Sequence, residues 1–315
     1  MSLTQAEVLV RTSGLSHDEW LANRRKGIGG SDIGAICGVN PWKSPLSVYL
    51  DKIGELPPVE ENDAMHFGTL LEPVVADEYK RRTGYAVQRR NFMYQHPDYP
   101  WALANVDRII LNKQRGHGIL EVKTASEFQS KEWSEGIVPE QYILQLQWYL
   151  WITGFQWGAF AVLVGGNKFY SHEMERNEDI IGYMVESAKE FWERVETRNP
   201  PPIDGSADST KILSALYPQS RPDSSTTLPN EAAEWIRMYR EALDNEKAAK
   251  EQKELAVNKL KAMMRDNEIA RYGDHKITWK SHVQQDFDKK AFANEHPELF
   301  AKYASNKTIR KFLVK

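Results

Sequence analysis

Hydrophobic positions along the chain fall into two rhythms. Between Gly68 and Thr83, Leu71, Val74, Val75 and Tyr79 keep the three-to-four spacing of a helix, which Gly84 should end. Similar patterns predict helices from Pro139 to Ile152 and from Asp179 to Arg198. Nearer the start, Ser16 with Glu19 three residues on has the form of a capping box and opens a short helix through Trp20 toward Arg24-Arg25-Lys26. A loop, Gly27 to Gly30, follows, and Ser31-Asp32 should start the next helix. Strand patterns cover Tyr85 to Arg89, Asn91 to Tyr94, Ala102 to Leu111 and Gly118 to Lys123. Ala159 to Leu163 and Lys168 to Ser171 read as a hairpin around Gly165-Gly166. Strands and helices are mixed without a regular βαβ alternation, which predicts an α+β fold with a mixed central sheet flanked by helices.

The last part of the chain differs. A long charged helix is expected from about Asn230 to Asn267, its apolar seam interrupted by Glu246 and Lys253. A small hairpin follows: Ile269 to Tyr272, the turn Gly273-Asp274, then Lys276 to Lys280. Pro200-Pro201-Pro202 and the Ser-, Thr- and Pro-rich run ending at Pro229 read as a connector with a short helical piece, Lys211 to Leu216. The expected division is therefore a domain at 1–199, a linker at 200–229 and an appendage at 230–315. One stretch, Trp148 to Gly166, has about the length of a membrane span, but Thr153-Gly154 breaks it and Gln156 interrupts it. A helix followed by a buried strand accounts for it, and no membrane segment is expected.

Composition narrows the function. Charged residues are 27% and hydrophobic ones 41%, as in an ordinary folded protein, and the net charge of −3 excludes a polycation that holds nucleic acid by bulk charge. That total hides an acidic first part and a basic tail. The single cysteine, Cys37, excludes a disulfide framework and a cysteine zinc site, and fits a reducing cytoplasm. Glu7, His17, Asp18 and Glu19 among the early residues argue against a signal peptide. The Gly27-x-Gly29-Gly30 run lacks the third glycine of a dinucleotide fingerprint and the Gly-Lys-Ser/Thr of a phosphate loop.

The chemistry-bearing pattern is Asp107 in an apolar strand and Glu121-Val122-Lys123 in the next. Period-two alternation turns Glu121 and Lys123 to one face and Val122 to the core. Two carboxylates and an ammonium gathered in this way suit Mg²⁺, a hard cation that keeps several waters, and phosphodiester hydrolysis. Taken alone, the three residues read rather as a strand-edge salt bridge, which is the commoner origin of such a pattern.

Further motifs change that balance. Asp107, thirteen residues and then Glu121-Val122-Lys123 resembles the PD-(D/E)XK nuclease core, with Val106 where the family name has proline. Trp20-x₃-Arg24-x₆-Ser31-Asp32, Gly68-x₃-Glu72 and Gln145-x₃-Tyr149 occur in the order found in the lambda exonuclease/YqaJ-type viral recombinase group. The resemblance runs from about Ser16 to Phe191 and implies a restriction-endonuclease-like core. It also implies roles for the residues. Asp107, Glu121 and the Val122 carbonyl would hold Mg²⁺, for which Mn²⁺ would substitute, and Glu72 would hold a second ion through water. Lys123 would orient or deprotonate the attacking water or stabilise the phosphate, and Gln145 would position water or the scissile strand. Without the resemblance, Glu72 reads as a surface acid, Gln145 as a satisfied polar residue and Tyr149 as packing.

Arg24 and Ser31 would grip a terminal 5′-phosphate, although Ser31 serves equally well as a helix N-cap. Lys80-Arg81-Arg82 and Arg89-Arg90 are candidate contacts to DNA backbone, or simply solvated faces. His66 is a metal neighbour only by weak analogy. The activity implied is a 5′-to-3′ exonuclease on double-stranded DNA ends that releases 5′-mononucleotides. The 3′ overhangs left behind would serve a single-strand-annealing recombinase. A homotrimeric ring in the cytoplasm of a bacterial host, encoded by a phage or prophage, belongs to the same expectation. The rivals are a RecB-like nuclease acting on single strands or endonucleolytically, and a catalytically idle DNA-binding or assembly module. Ile277-Thr278-Trp279-Lys280 and Arg310-Lys311-Phe312-Leu313 resemble tail segments of the group, without an assigned chemical role.

Overall fold

The computed structural model describes residues 5–58, 62–305 and 309–314; residues 1–4, 59–61, 306–308 and 315 lie outside the described residues. The chain forms two units, divided between Tyr217 and Pro218.

The first unit is built on a five-stranded sheet. Its strands are β2 (Ala86–Arg89), β5 (Arg108–Leu111), β6 (Gly118–Ala125), β7 (Trp157–Val164) and β8 (Lys168–Glu175), in that spatial order. Only β6 and β7 run parallel, joined by a crossover through the helices α5 (Ser130–Ser134) and α6 (Glu140–Thr153). The β7–β8 hairpin is the predicted one, lengthened at both ends, and Gly165 and Gly166 take positive φ in its turn. A separate three-stranded sheet holds β1 (Glu7–Arg11), β3 (Phe92–Gln95) and β4 (Leu103–Ala104).

Two apolar layers hold this arrangement. On one face, α6 packs with α2 (Gly30–Ile36) and α7 (Glu178–Glu196) around Ile33, Leu146, Trp148, Leu150, Phe160 and Met184. On the other, α4 (Asp63–Thr83) lays Val75, Ala76 and Tyr79 on Leu120, Val122, Trp157, Ala159 and Ala161. Along β6, Ile119 belongs to the first layer and Leu120 and Val122 to the second. Alternation therefore turns Glu121 and Lys123 toward α6. The helix α4 is capped by Asn62, whose side chain accepts from the Met65 N–H at 3.0 Å, so it starts earlier than the spacing predicts. The predicted capping box opens α1 (His17–Arg24), with Ser16 and Glu19 bonded reciprocally.

Three expectations need correction. The single strand expected from Ala102 to Leu111 is two strands, with Asn105, Val106 and Asp107 crossing from one sheet to the other. Asp107 thus stands at the entry to β5, not inside a strand. The helix expected to start at Ser31 starts one residue earlier: extended Gly29 is its N-cap, and the Asp32 carboxylate accepts from the Gly29 N–H at 3.1 Å. This excludes Ser31 from the capping role. The helical piece expected at Lys211 to Leu216 is α8 (Ala207–Leu216), which belongs to the first unit. Its Asp208 accepts from the backbone and hydroxyl of Ser44 at 2.7 and 2.8 Å, at the start of α3 (Pro45–Ile53).

The second unit contains α9 (Ala232–Met264), an antiparallel pair of β9 (Ile269–Tyr272) and β10 (His275–Thr278), and two short helices, α10 (Lys289–Glu295) and α11 (Pro297–Tyr303). Helix and hairpin follow the sequence expectation, which did not extend to α10 and α11.

Candidate active site

A cleft of about 360 Å³ opens in the first unit. Its floor is Asp107, Glu121, Val122 and Lys123; α4 contributes Met65, Gly68, Thr69 and Glu72; Trp20, Arg24 and Gly29 to Ser31 form the opposite rim; and Gln145 and Tyr149 of α6 close it from below. All four sequence motifs therefore converge on one cavity.

The register explains the floor. Antiparallel pairing ends at Arg108↔Leu120, so Asp107 lies beside the Glu121–Val122 peptide, where its Oδ2 accepts from the Val122 N–H at 3.0 Å. Glu121 Oε1 accepts from Lys123 Nζ at 2.7 Å and from Gln145 Nε2 at 2.6 Å, while Lys123 also donates to Gln145 Oε1 at 3.1 Å. The Tyr142 ring lies 4.7 Å from the Lys123 ammonium. Glu121 Oε2 is buried and has no hydrogen-bond partner. Glu72 pairs with the buried Arg108, which also donates to the Asp107 carbonyl at 2.9 Å.

Negative charge is in excess here. Burial, and then the Glu121 charge, pushes the Asp107 carboxyl up to about 8, against the pull of Lys123 and the Val122 N–H. Burial also raises Glu121, with Lys123 opposing it. For Lys123 burial works downward, but Glu121 and Asp107 outweigh it and hold the side chain as an ammonium.

The rim holds a second charged group that sequence reasoning missed. Asp32, fully buried, is ion-paired to Arg24 at 3.2 Å, Lys43 at 2.8 Å and Lys52 at 2.7 Å. Burial opposes its ionisation, but Lys43, Lys52 and Arg24 outweigh it and hold the carboxyl well below the usual range. Arg24 also donates to Ser31 Oγ at 3.1 Å and lies over the Trp20 ring, 5.0 Å from its centroid. The sequence placed Asp32 in the Trp20-x₃-Arg24-x₆-Ser31-Asp32 motif but gave it no role beyond starting a helix.

Other candidates fall outside the cleft. Arg81 and Arg82 both bond Glu78 on their own helix, and Lys80 bonds Asp77. Arg89 is exposed and Arg90 partly so, and neither they nor His66 line the cavity.

Residues 19–156 match the YqaJ-like viral recombinase domain. Over 319 aligned positions the chain is 37% identical to YqaJ of Bacillus subtilis (strain 168), covering 100% of this chain and 99% of that protein. The chain belongs to the YqaJ-like viral recombinase family. Every residue lining the cleft, from Trp20 to Tyr149, falls within the YqaJ-like span. Protein R354 of Acanthamoeba polyphaga mimivirus is 28% identical over 145 residues, 43% of this chain and 26% of its own. An alkaline exonuclease from Laribacter hongkongensis, LHK-Exo, aligns at 20% identity with a TM-score of 0.48, over 63% of this chain and 98% of that one. Its complex with dAMP gives the same identity and TM-score over 58% and 94%.

Proposed function

We propose that this YqaJ-like protein is a Mg²⁺-dependent 5′-to-3′ exonuclease on double-stranded DNA, releasing 5′-mononucleotides and leaving 3′ overhangs. The observation that carries the reading is the meeting of Asp107, Glu121 and Lys123 in a cleft whose rim presents Arg24 and Ser31.

The floor fits a hard cation. Its donors are carboxylate and carbonyl oxygens; Glu121 Oε2 is buried without a partner, and burial, with the Glu121 charge second, disfavours the ionised Asp107 carboxyl in the absence of a cation. Among the described residues no three His, Cys, Asp or Glu side chains form a cage on their own. Asp107, Glu121 and the Val122 carbonyl would hold Mg²⁺ or Mn²⁺, with Glu72 serving a second ion through water. Bound there, the ion would polarise the scissile phosphate and lower the pKa of the attacking water.

The chain's own groups supply the rest. Lys123, kept charged by Glu121, donates to the phosphate oxygens as charge develops or orients the water. Gln145, bonded to both Glu121 and Lys123, fixes their separation. Arg24 and Ser31 receive the terminal 5′-phosphate and set the end from which strand removal proceeds. A homotrimeric ring threaded by DNA, overhangs handed to an annealing recombinase, and a phage or prophage protein working in the bacterial cytoplasm complete the proposal.

The test uses linear duplex DNA with a 5′-phosphate at one end and a label on either strand, with Mg²⁺, with EDTA, and with Asp107→Ala. Mononucleotide release from the 5′ end that needs Mg²⁺ and Asp107 is expected. Cutting of circular or single-stranded DNA instead would replace the exonuclease by a RecB-like activity. Binding without any cutting would leave an idle module.

A further inference from the structure

Asp32 has two oxygens with different partners. Oδ2 accepts from the Gly29 N–H at 3.1 Å and from Lys52 Nζ at 2.7 Å, and the Lys52 side chain has no exposed surface. Oδ1 accepts from Lys43 at 2.8 Å and Arg24 at 3.2 Å, both of which reach the surface. The inner oxygen therefore secures the start of α2 to α3, while the outer one serves the rim of the cleft.

The sharing on the outer oxygen has consequences. Two cations on a single carboxylate oxygen are each only partly neutralised, and both keep donors for another anion. Arg24 is nonetheless held at a fixed angle by Asp32, Ser31 Oγ and the Trp20 ring. A guanidinium fixed in this way meets a phosphate in one orientation, whereas a mobile one binds any backbone phosphate within reach.

We propose that Asp32, clamped by Lys52, is the positioning residue for 5′-phosphate recognition: it orients Arg24 and Ser31 so that they discriminate phosphorylated ends from internal phosphates. This rests on the reading that Arg24 and Ser31 receive the terminal phosphate. The carboxylate is not a ligand of the DNA; its charge restrains one.

The experiment measures binding of blunt duplexes bearing 5′-phosphate or 5′-hydroxyl ends to the full chain in EDTA, by fluorescence anisotropy at several salt concentrations. The ratio of kcat/KM on the two ends in Mg²⁺ provides a second readout. The variants are Asp32→Asn, the double variant Asp32→Asn/Lys52→Met and Arg24→Ala, each checked for folding by circular dichroism. The double variant removes the ammonium that Asp32→Asn would leave buried without its carboxylate. Loss of Asp32 should reduce the preference for phosphorylated ends about tenfold, the worth of one charge-assisted hydrogen bond. Affinity for hydroxyl ends should hold or rise, because a negative charge has left the DNA-facing side. A structural role alone would weaken both kinds of end equally, and that result overturns the proposal. Wild-type preference in folded Asp32 variants, with preference lost in Arg24→Ala, also overturns it while leaving the phosphate reading intact. Preference retained in Arg24→Ala removes the reading itself.

Discussion

Replacing Asp107 by Asn should stabilise the metal-free protein while removing the proposed activity. The folded carboxyl sits at about 8 against an ordinary 3.8. Below pH 4 it is protonated in both the folded and unfolded chain and adds no pH-dependent term. As pH climbs from 4 to 8 the unfolded chain releases this proton and the folded chain keeps it, so stability falls; above 8 the penalty is constant. At about 1.4 kcal/mol per unit this amounts to roughly 4 kcal/mol at pH 7 as an upper bound. Asp107 is half-buried at the cleft, and water screens part of that, leaving about 1–3 kcal/mol. Asn keeps an acceptor for the Val122 N–H, so the hydrogen bond at 3.0 Å survives the change. Urea denaturation in EDTA at pH 5 and pH 8 measures the effect: Asp107→Asn should gain little at the lower pH and its full increment at the higher. Millimolar Mg²⁺ should then stabilise the wild type and not the variant, closing the gap. An equal difference at both pH values, or a variant less stable than wild type at pH 8, would refute the electrostatic account of the floor.

Lys123→Ala should reduce single-turnover cleavage by about 10² to 10⁴, the usual worth of a proton-handling or charge-donating group, while Mg²⁺ binding by calorimetry persists. Glu72→Gln should cost about 10- to 100-fold in metal affinity or rate, less than loss of Asp107, because it acts on the ion through water; no change in either would return Glu72 to a partner of Arg108 alone. A Cβ on Gly30 would sit 2.4 Å from Tyr149 Cε1, so Gly30→Ala should destabilise by about 1–3 kcal/mol and lower Tm; an unchanged Tm would mean the buried ring gives way freely. Alanine at Arg89 or Arg90 should flatten the salt dependence of DNA affinity by about one unit of slope if the side chain meets a phosphate, and an unaltered slope removes that residue from the interface.

The parts of the site legible in sequence are those encoded by local periodicity. Glu121 and Lys123 share a face because they are two apart on a strand, and Leu71-to-Tyr79 spacing placed Glu72 on a helix whose other side is buried. What the sequence concealed depends on where segments meet in space. Leu103-Ala104 and Arg108 to Leu111 are almost all buried, so apolar content cannot reveal that they lie in different sheets. Asp32 finds its partners at Arg24, Lys43 and Lys52, which lie outside its own helix, so the periodicity of one element cannot relate them. The same buried charges disguise α3, where Asp51 and Lys52 sit among apolar residues on the inside. The pairing of Arg81 and Arg82 with Glu78, by contrast, lies at helical spacing and was available to a sequence reading.

Gln145 and Tyr149 show what a four-residue spacing does beside this carboxylate floor. They occupy successive turns of one helix, so their side chains stand on the same face. Gln145 reaches the floor through Glu121 and Lys123, and its Nε2 meets the Tyr149 hydroxyl at 3.2 Å. The Tyr149 ring in turn packs where any side chain at Gly30 would go, at the start of α2 and next to Ser31. A single helix thus ties the carboxylate floor to the rim that carries Arg24 and Ser31. The Asp32 cluster ties the same rim to α3 through the buried Lys52. In the proposed reaction the separation between the carboxylate floor and the Arg24–Ser31 rim would decide which bond is cut, and α6, which touches both, would set that separation.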